Sequence, residues 1–172
     1  GTIAGISAGG LPDNCVDAGT IGALPGGLWK GDGTGQTIAT GTDTKLDFFS
    51  TAKWTNGSMS WDDTNKRIAF PVAGVYACHV KISHGAEGYF DNDMHLIFKI
   101  NGSNAHDSNA QMGFGIAPYK NNSEWYKSCV YSQFVEVAAS DYLEVWFKQT
   151  TGGDVSLSGD YTYLNVQYMG GA

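Results

Sequence analysis

Charge is scarce in this chain. Only 16% of its 172 residues are Asp, Glu, Lys or Arg, while 42% are hydrophobic and 13% aromatic. That balance is too apolar for disorder, and polar residues interrupt every window long enough to span a bilayer, so membrane insertion is excluded. Cations are the scarcer sign, ten against seventeen acidic side chains, for a formal charge of −7. A chain so charged repels a phosphate backbone, which excludes nucleic acid as a partner. Cysteine is sparse too: Cys15, Cys78 and Cys129 permit one intrachain disulfide at most, short of the framework of a small secreted domain, and stand too far apart for a metal site. Cys78 reads instead as a small buried hydrophobe.

Catalytic motifs are missing as well. There is no His-Glu-x-x-His, no phosphate-binding loop and no Gly-x-Gly-x-x-Gly opening a helix. His79, His84, His95 and His106 stand in no nucleophile or metal motif. Of the acidic pairs, Asp62-Asp63 are adjacent, and neighbours on a strand point to opposite faces, so they seldom converge on one reacting bond; Asp91-Asn92-Asp93 is the other. The expectation is a protein that is not an enzyme. No targeting signal is visible at the Gly-Thr start, which reads as a processed product or a fragment.

What is present is a pattern of short strands. In Ile68–Ile82, IAFPVAGVYACHVKI, a short strand and a Pro71/Gly74 turn lead into a strand with Tyr76, Cys78, Val80 and Ile82 on one face and Ala77, His79 and Lys81 on the other. Strands are expected near 36–40, 44–49, 66–70, 74–83, 93–101, 111–117, 128–138, 142–150, 154–158 and 160–169. Turns at Asn56-Gly57, Asn101-Gly102, Gly152-Gly153 and Ser158-Gly159 separate them. No segment from Gln36 onward sustains a helical period, so the fold class is all-β, a two-sheet antiparallel sandwich or jelly roll over residues 36–172. Residues 1–35 hold eleven glycines and scattered Ile, Leu, Val and Trp, without the every-third spacing of collagen, and read as an extended neck packed against copies of itself.

Two late strands are apolar on both faces. Leu143, Val145 and Phe147 are opposed by Tyr142 and Trp146, while Leu164, Val166 and Tyr168 are opposed by Tyr161 and Tyr163. A monomeric sandwich wets its outer face, so Trp146, Tyr161 and Tyr163 are candidates for a subunit interface. The segments 85–93 and 117–126 mix rings with amides and charges, which suits sugar recognition by stacking and hydrogen bonding. Tyr89, Phe90, Tyr119, Trp125 and Tyr126 are the candidate receptor-binding residues. Glu87, Asp91 and Asp93 form a weak oxygen-rich candidate for Ca²⁺, and no other cofactor is expected. Asn56, Asn101 and Asn121 satisfy the Asn-x-Ser rule, which matters only in a eukaryotic secretory host.

The stretch WDDTNKRIAFPVAGVYACHV at 61–80, the NGS turn at 101–103, DYLEVWFKQTTGG at 141–153 and the closing aromatic strand at 160–169 resemble the complement globular-head and tumour-necrosis-factor-like jelly-roll superfamily over about 36–170. The match departs where Cys78 stands in place of the usual phenylalanine and where vertebrate members carry a collagen stalk. The resemblance implies a homotrimer of jelly rolls with aromatic strands at the interface. The low-charge neck is similar to segments preceding the tips of bacteriophage fibres and spikes. Together these imply a virion-surface fibre or spike tip that binds a host glycan or protein and is held to other virion proteins by its neck. A capsid decoration (head fibre) protein of the same fold and a secreted complement- or cytokine-like ligand are the alternatives.

Overall fold

The computed structural model describes residues 24–84, 94–105, 114–115, 127–150 and 152–171. Those residues form no helix and thirteen strands: β1 (Gly26–Lys30), β2 (Gly35–Ile38), β3 (Thr44–Lys45), β4 (Thr51–Asn56), β5 (Trp61–Asp62), β6 (Arg67–Ala69), β7 (Gly74–His84), β8 (Met94–Ile100), β9 (Ser103–Asn104), β10 (Phe114–Gly115), β11 (Lys127–Val137), β12 (Tyr142–Gln149) and β13 (Val155–Gly170). A seven-stranded sheet runs β10-β11-β7-β13-β1-β4 with β2 also on β13. A six-stranded sheet runs β5-β6-β12-β8-β9 with β3 on β12. Every pairing is antiparallel. The molecule is the expected two-sheet jelly roll.

Alternation along the strands builds the core. Tyr76, Cys78, Val80 and Ile82 of β7, with Leu164 and Val166 of the neighbouring β13, share one core with Leu143, Val145 and Phe147 of β12 and Leu96 and Phe98 of β8 in the other sheet. Rings fill one end: Phe70 and Tyr76 lie 4.6 Å apart, Tyr76 and Tyr168 5.2 Å. The buried Tyr76 hydroxyl donates to the Val72 carbonyl at 3.0 Å, which keeps its polar tip paired, and burial pushes its pKa up. Gly74, which opens β7, has φ of 146°, and a Cβ there would collide with the Gly170 carbonyl and the Tyr168 ring. Only glycine satisfies both demands.

The structure moves the boundary expected at residue 35. Gly26–Lys30, expected in the neck, pair along their whole length with β13 on one side and β4 on the other. Trp29 is 1% exposed. The glycine content hid this strand: Gly27 is there because a Cβ would run into the Trp29 indole, so the residue that looks like a flexible spacer makes room for the largest core ring. Residues 1–23 lie outside the described part of the chain.

Two further expectations are corrected. The 44–49 strand keeps its ladder only at Thr44–Lys45. Phe48 and Phe49, adjacent in sequence, are both buried with ring centroids 5.1 Å apart, which the alternation of a strand forbids. The turn expected at Ser158-Gly159 is instead a bulge inside one long strand. Ser158 pairs with Ser83 and Tyr163 with Lys81, so residues 159–162 stand opposite Ile82 alone. Thr162 holds the bulge from within: its hydroxyl donates to Ser158 O at 2.6 Å and accepts from Ser83 N at 3.0 Å. The strands at 26–30 and 51–56 carried no alternation strong enough to be expected.

A chain beginning at Leu24 is expected to unfold in one cooperative urea transition. One beginning at Gln36 loses β1 and should show none. Trp29→Ala in the full chain is expected to lower unfolding free energy by about 3–5 kcal/mol, read from the urea midpoint at unchanged slope.

Candidate functional site

The two outer faces of the sandwich differ in how far each satisfies itself. On the six-stranded sheet, β12 turns Tyr142, Glu144, Trp146 and Lys148 outward, and β8 turns out Lys99 opposite Glu144. Trp146 is held by its own neighbours. Its indole N–H donates to Glu144 Oε2 at 3.1 Å, and Lys99 Nζ stands 3.8 Å over the ring. Glu144 Oε1 accepts from Lys45 Nζ at 2.7 Å, and the same ammonium donates to the Asn65 carbonyl at 3.0 Å. Arg67 covers Tyr142 at 4.3 Å and pairs with Asp62 at 3.4 Å. The Asp62 carboxyl is held below the usual carboxylate range chiefly by the backbone hydrogen bond from Asn65, a turn-stabilising role. This face is a closed network.

The seven-stranded sheet presents the opposite case. Alternation turns Ala77, His79 and Lys81 of β7 outward, with Val130, Ser132 and Phe134 of β11, Tyr163, Asn165 and Gln167 of β13, Leu28 and Lys30 of β1, and Trp54 of β4. Large apolar side chains lie open there: Phe134 is 64% exposed, Val130 42% and Trp54 42%, with Tyr161 52% exposed at the bulge. Near the middle, His79 stacks on Tyr163 with centroids 5.7 Å apart and planes at 28°. Its Nδ1 lies 2.5 Å from Ser132 Oγ and its Nε2 3.5 Å from the Tyr163 hydroxyl.

The three rings expected at an interface therefore do not share a face. Trp146 belongs to the six-stranded sheet, Tyr161 and Tyr163 to the seven-stranded one. Both strands are apolar on two sides, but a sequence does not tell which outer side belongs to which sheet. Phe134, Val130 and Trp54 were not anticipated. Phe134 alternates with the buried Val135 and Val137, and reading outward aromatics on 128–138 as on 142–148 would have found it.

Tyr89, Phe90, Tyr119, Trp125 and Tyr126 lie outside the described residues, as do Glu87, Asp91 and Asp93. The strand ends that anchor their segments are described. His84, after which 85–93 begins, pairs directly with Lys127, before which 117–126 ends. Among the described residues no group of three or more His, Cys, Asp or Glu is placed to hold a metal ion, and no helix is long and apolar enough to cross a membrane.

The described thiols point inward. Burial pushes Cys78 up to about 12 and Cys129 up to about 11, so both stay protonated at neutral pH. In a native chain at pH 8 neither is expected to react with a thiol-exchange chromophore within minutes, and both should react at once in 6 M guanidinium. Fast native labelling at Cys78, located by peptide mass, would contradict this burial.

The sequence matches no family profile and no curated protein. Solved structures do match. The Eiger TNF of S. frugiperda superposes with a TM-score of 0.60 at 15% identity, covering 87% of this chain and 94% of that one. Murine APRIL at pH 8.5 superposes with a TM-score of 0.53 at 10% identity, covering 84% and 98%. At such identities the likeness concerns architecture, and the chain has a tumour-necrosis-factor-like jelly-roll fold.

Proposed function

We propose that the chain is a non-enzymatic homotrimeric attachment head, packed through the outer face of its seven-stranded sheet and carried on a virion fibre or spike by residues 1–23. One observation carries the assembly: Phe134, Val130 and Trp54 lie open on one face of a sheet whose opposite face is fully committed to the core. Large apolar side chains left open on one sheet face mark an interaction site, and aromatic residues are enriched in such interfaces. Trp146 is left out of this interface because its ring is held within its own network. Segments 85–93 and 117–126, rooted on the paired ends His84 and Lys127, supply the recognition surface. Tyr89, Phe90, Tyr119, Trp125 and Tyr126 stack on a host-surface glycan or pack on a protein receptor. The Gly-rich, low-charge composition of the neck supports the virion placement.

A second reading, a secreted recognition ligand, is favoured by the fold likeness to Eiger TNF and APRIL. Imaging of labelled particles separates the two, and it also separates a tail fibre from a capsid decoration protein. Label at the tail tip supports the first, label on the capsid supports decoration, and unlabelled particles favour the secreted ligand.

Sedimentation equilibrium at neutral pH is expected to give three times the 18.3 kDa chain mass. Phe134→Asp, which places a charge in the proposed contact, should give a single-chain mass with unchanged far-ultraviolet circular dichroism. A wild-type monomer across the micromolar range would overturn the assembly.

A further inference from the structure

His79 occupies the centre of the open face. It is in register with Ser132 on β11 and Asn165 on β13, the two strands that flank β7. The positions one step away on the same face are Ala77 and Lys81 on β7, Val130 and Phe134 on β11, and Tyr163 and Gln167 on β13. None of these is a carboxylate. The charges that face the site are cationic: Lys81 Nζ lies 5.9 Å from the Tyr163 ring centre, and Lys30 of β1 stands opposite Tyr163, 4.0 Å from Asp160. Glu136 is the next outward carboxylate on β11, but it pairs with Val75, two steps beyond Ser132 along the face.

We infer that His79 is a proton-operated release for the assembly of three chains, which holds at neutral pH and comes apart as pH falls toward 5. This rests on the trimeric reading of the outer face. A neutral imidazole fits the site, because the Ser132 and Tyr163 hydroxyls can each donate or accept and so satisfy either tautomer. An imidazolium does not fit once a second chain covers it. Its water is removed, its hydrogen-bond partners are neutral, and among the described residues the charged neighbour on its own strand face is the cation Lys81. Burial already holds the His79 imidazole below its ordinary value in the single chain, and further covering acts in the same direction.

The sign follows from proton counting. The assembled state binds fewer protons than separate chains below the separate chain's own titration point, so association is complete above it and is lost as pH falls through it. Burial holds that point below the ordinary imidazole value. Each unit by which assembly lowers the imidazole further costs about tenfold per chain, hence roughly a thousandfold in the association constant of a trimer. Carboxylates titrate below about 4.5, so a scan that stops at pH 5 reads histidine.

The test is sedimentation equilibrium of the full chain at pH 7.5, 6.5, 5.8 and 5.0, with circular dichroism alongside. The expected result is a mass of three chains at pH 7.5, falling to one chain by pH 5.0 without loss of β signal. His79→Phe keeps a ring and removes the proton, and it should remain trimeric at pH 5.0. His79→Gln serves the same purpose should the phenylalanine variant not fold. His79→Lys, charged throughout, should be monomeric at pH 7.5. The other histidines are intact in all three variants, so dissociation of His79→Phe or His79→Gln in step with wild type would overturn the assignment. Wild type that is trimeric at both ends of the scan overturns the release alone. Wild type already monomeric at pH 7.5 overturns the trimer and the release with it.

Discussion

Everything in this fold depends on the period of two along β7. The strand is central in its sheet, with β11 on one side and β13 on the other, so its two sets of side chains decide what each face of that sheet becomes. Tyr76, Cys78, Val80 and Ile82 commit one face to the core, and the same geometry leaves Ala77, His79 and Lys81 no choice but the other. A slip of one residue would exchange a buried thiol and three large apolar groups for a histidine and a lysine, whose desolvation nothing inside the sandwich could offset.

Much of this was legible beforehand because β7 states its period twice over, with polar residues between apolar ones and a glycine at its start. The same held for β12, whose Leu143, Val145 and Phe147 are all buried as expected. Where local signals and long-range packing disagree, the reading failed. Gly26 and Gly27 look like linker, yet Gly27 lines the space that Trp29 fills and Gly26 the space of the Gln167 side chain, a fact about neighbouring side chains and not about glycine's own preference. Phe48 and Phe49 look like strand, yet both turn inward as the chain leaves the ladder at Lys45. The candidate site was half legible: outward aromatics on β12 and β13 could be seen, but only the pairing of strands into sheets puts Trp146 on one side of the molecule and Tyr163 on the other.

The contrast between the two outer faces gives the functional reading its direction. Trp146 is ringed by Lys99, Lys45 and Glu144, all from its own chain, so this tryptophan is a fastener of the six-stranded sheet. Phe134 is among the most exposed of the large apolar side chains. A folded monomer gains nothing from keeping such groups in water, whereas a partner chain that covers them gains apolar area. The polar centre at His79 then makes the same face sensitive to what dissolves it.

The bulge in β13 carries an arithmetic consequence for how this protein tolerates change. Before it, odd-numbered residues such as Leu157 turn inward; after it, even-numbered Leu164 and Val166 do. The inserted residues therefore act as a phase shifter, and the closing strand works only because the excess over a regular ladder is odd. Losing or gaining a single residue between Ser158 and Tyr163 would rotate Leu157 and Val155 out of the core, away from Ile38 and Gln36 of β2, while a change of two would restore the phase. Length variation among relatives of this chain should therefore come in pairs at that point.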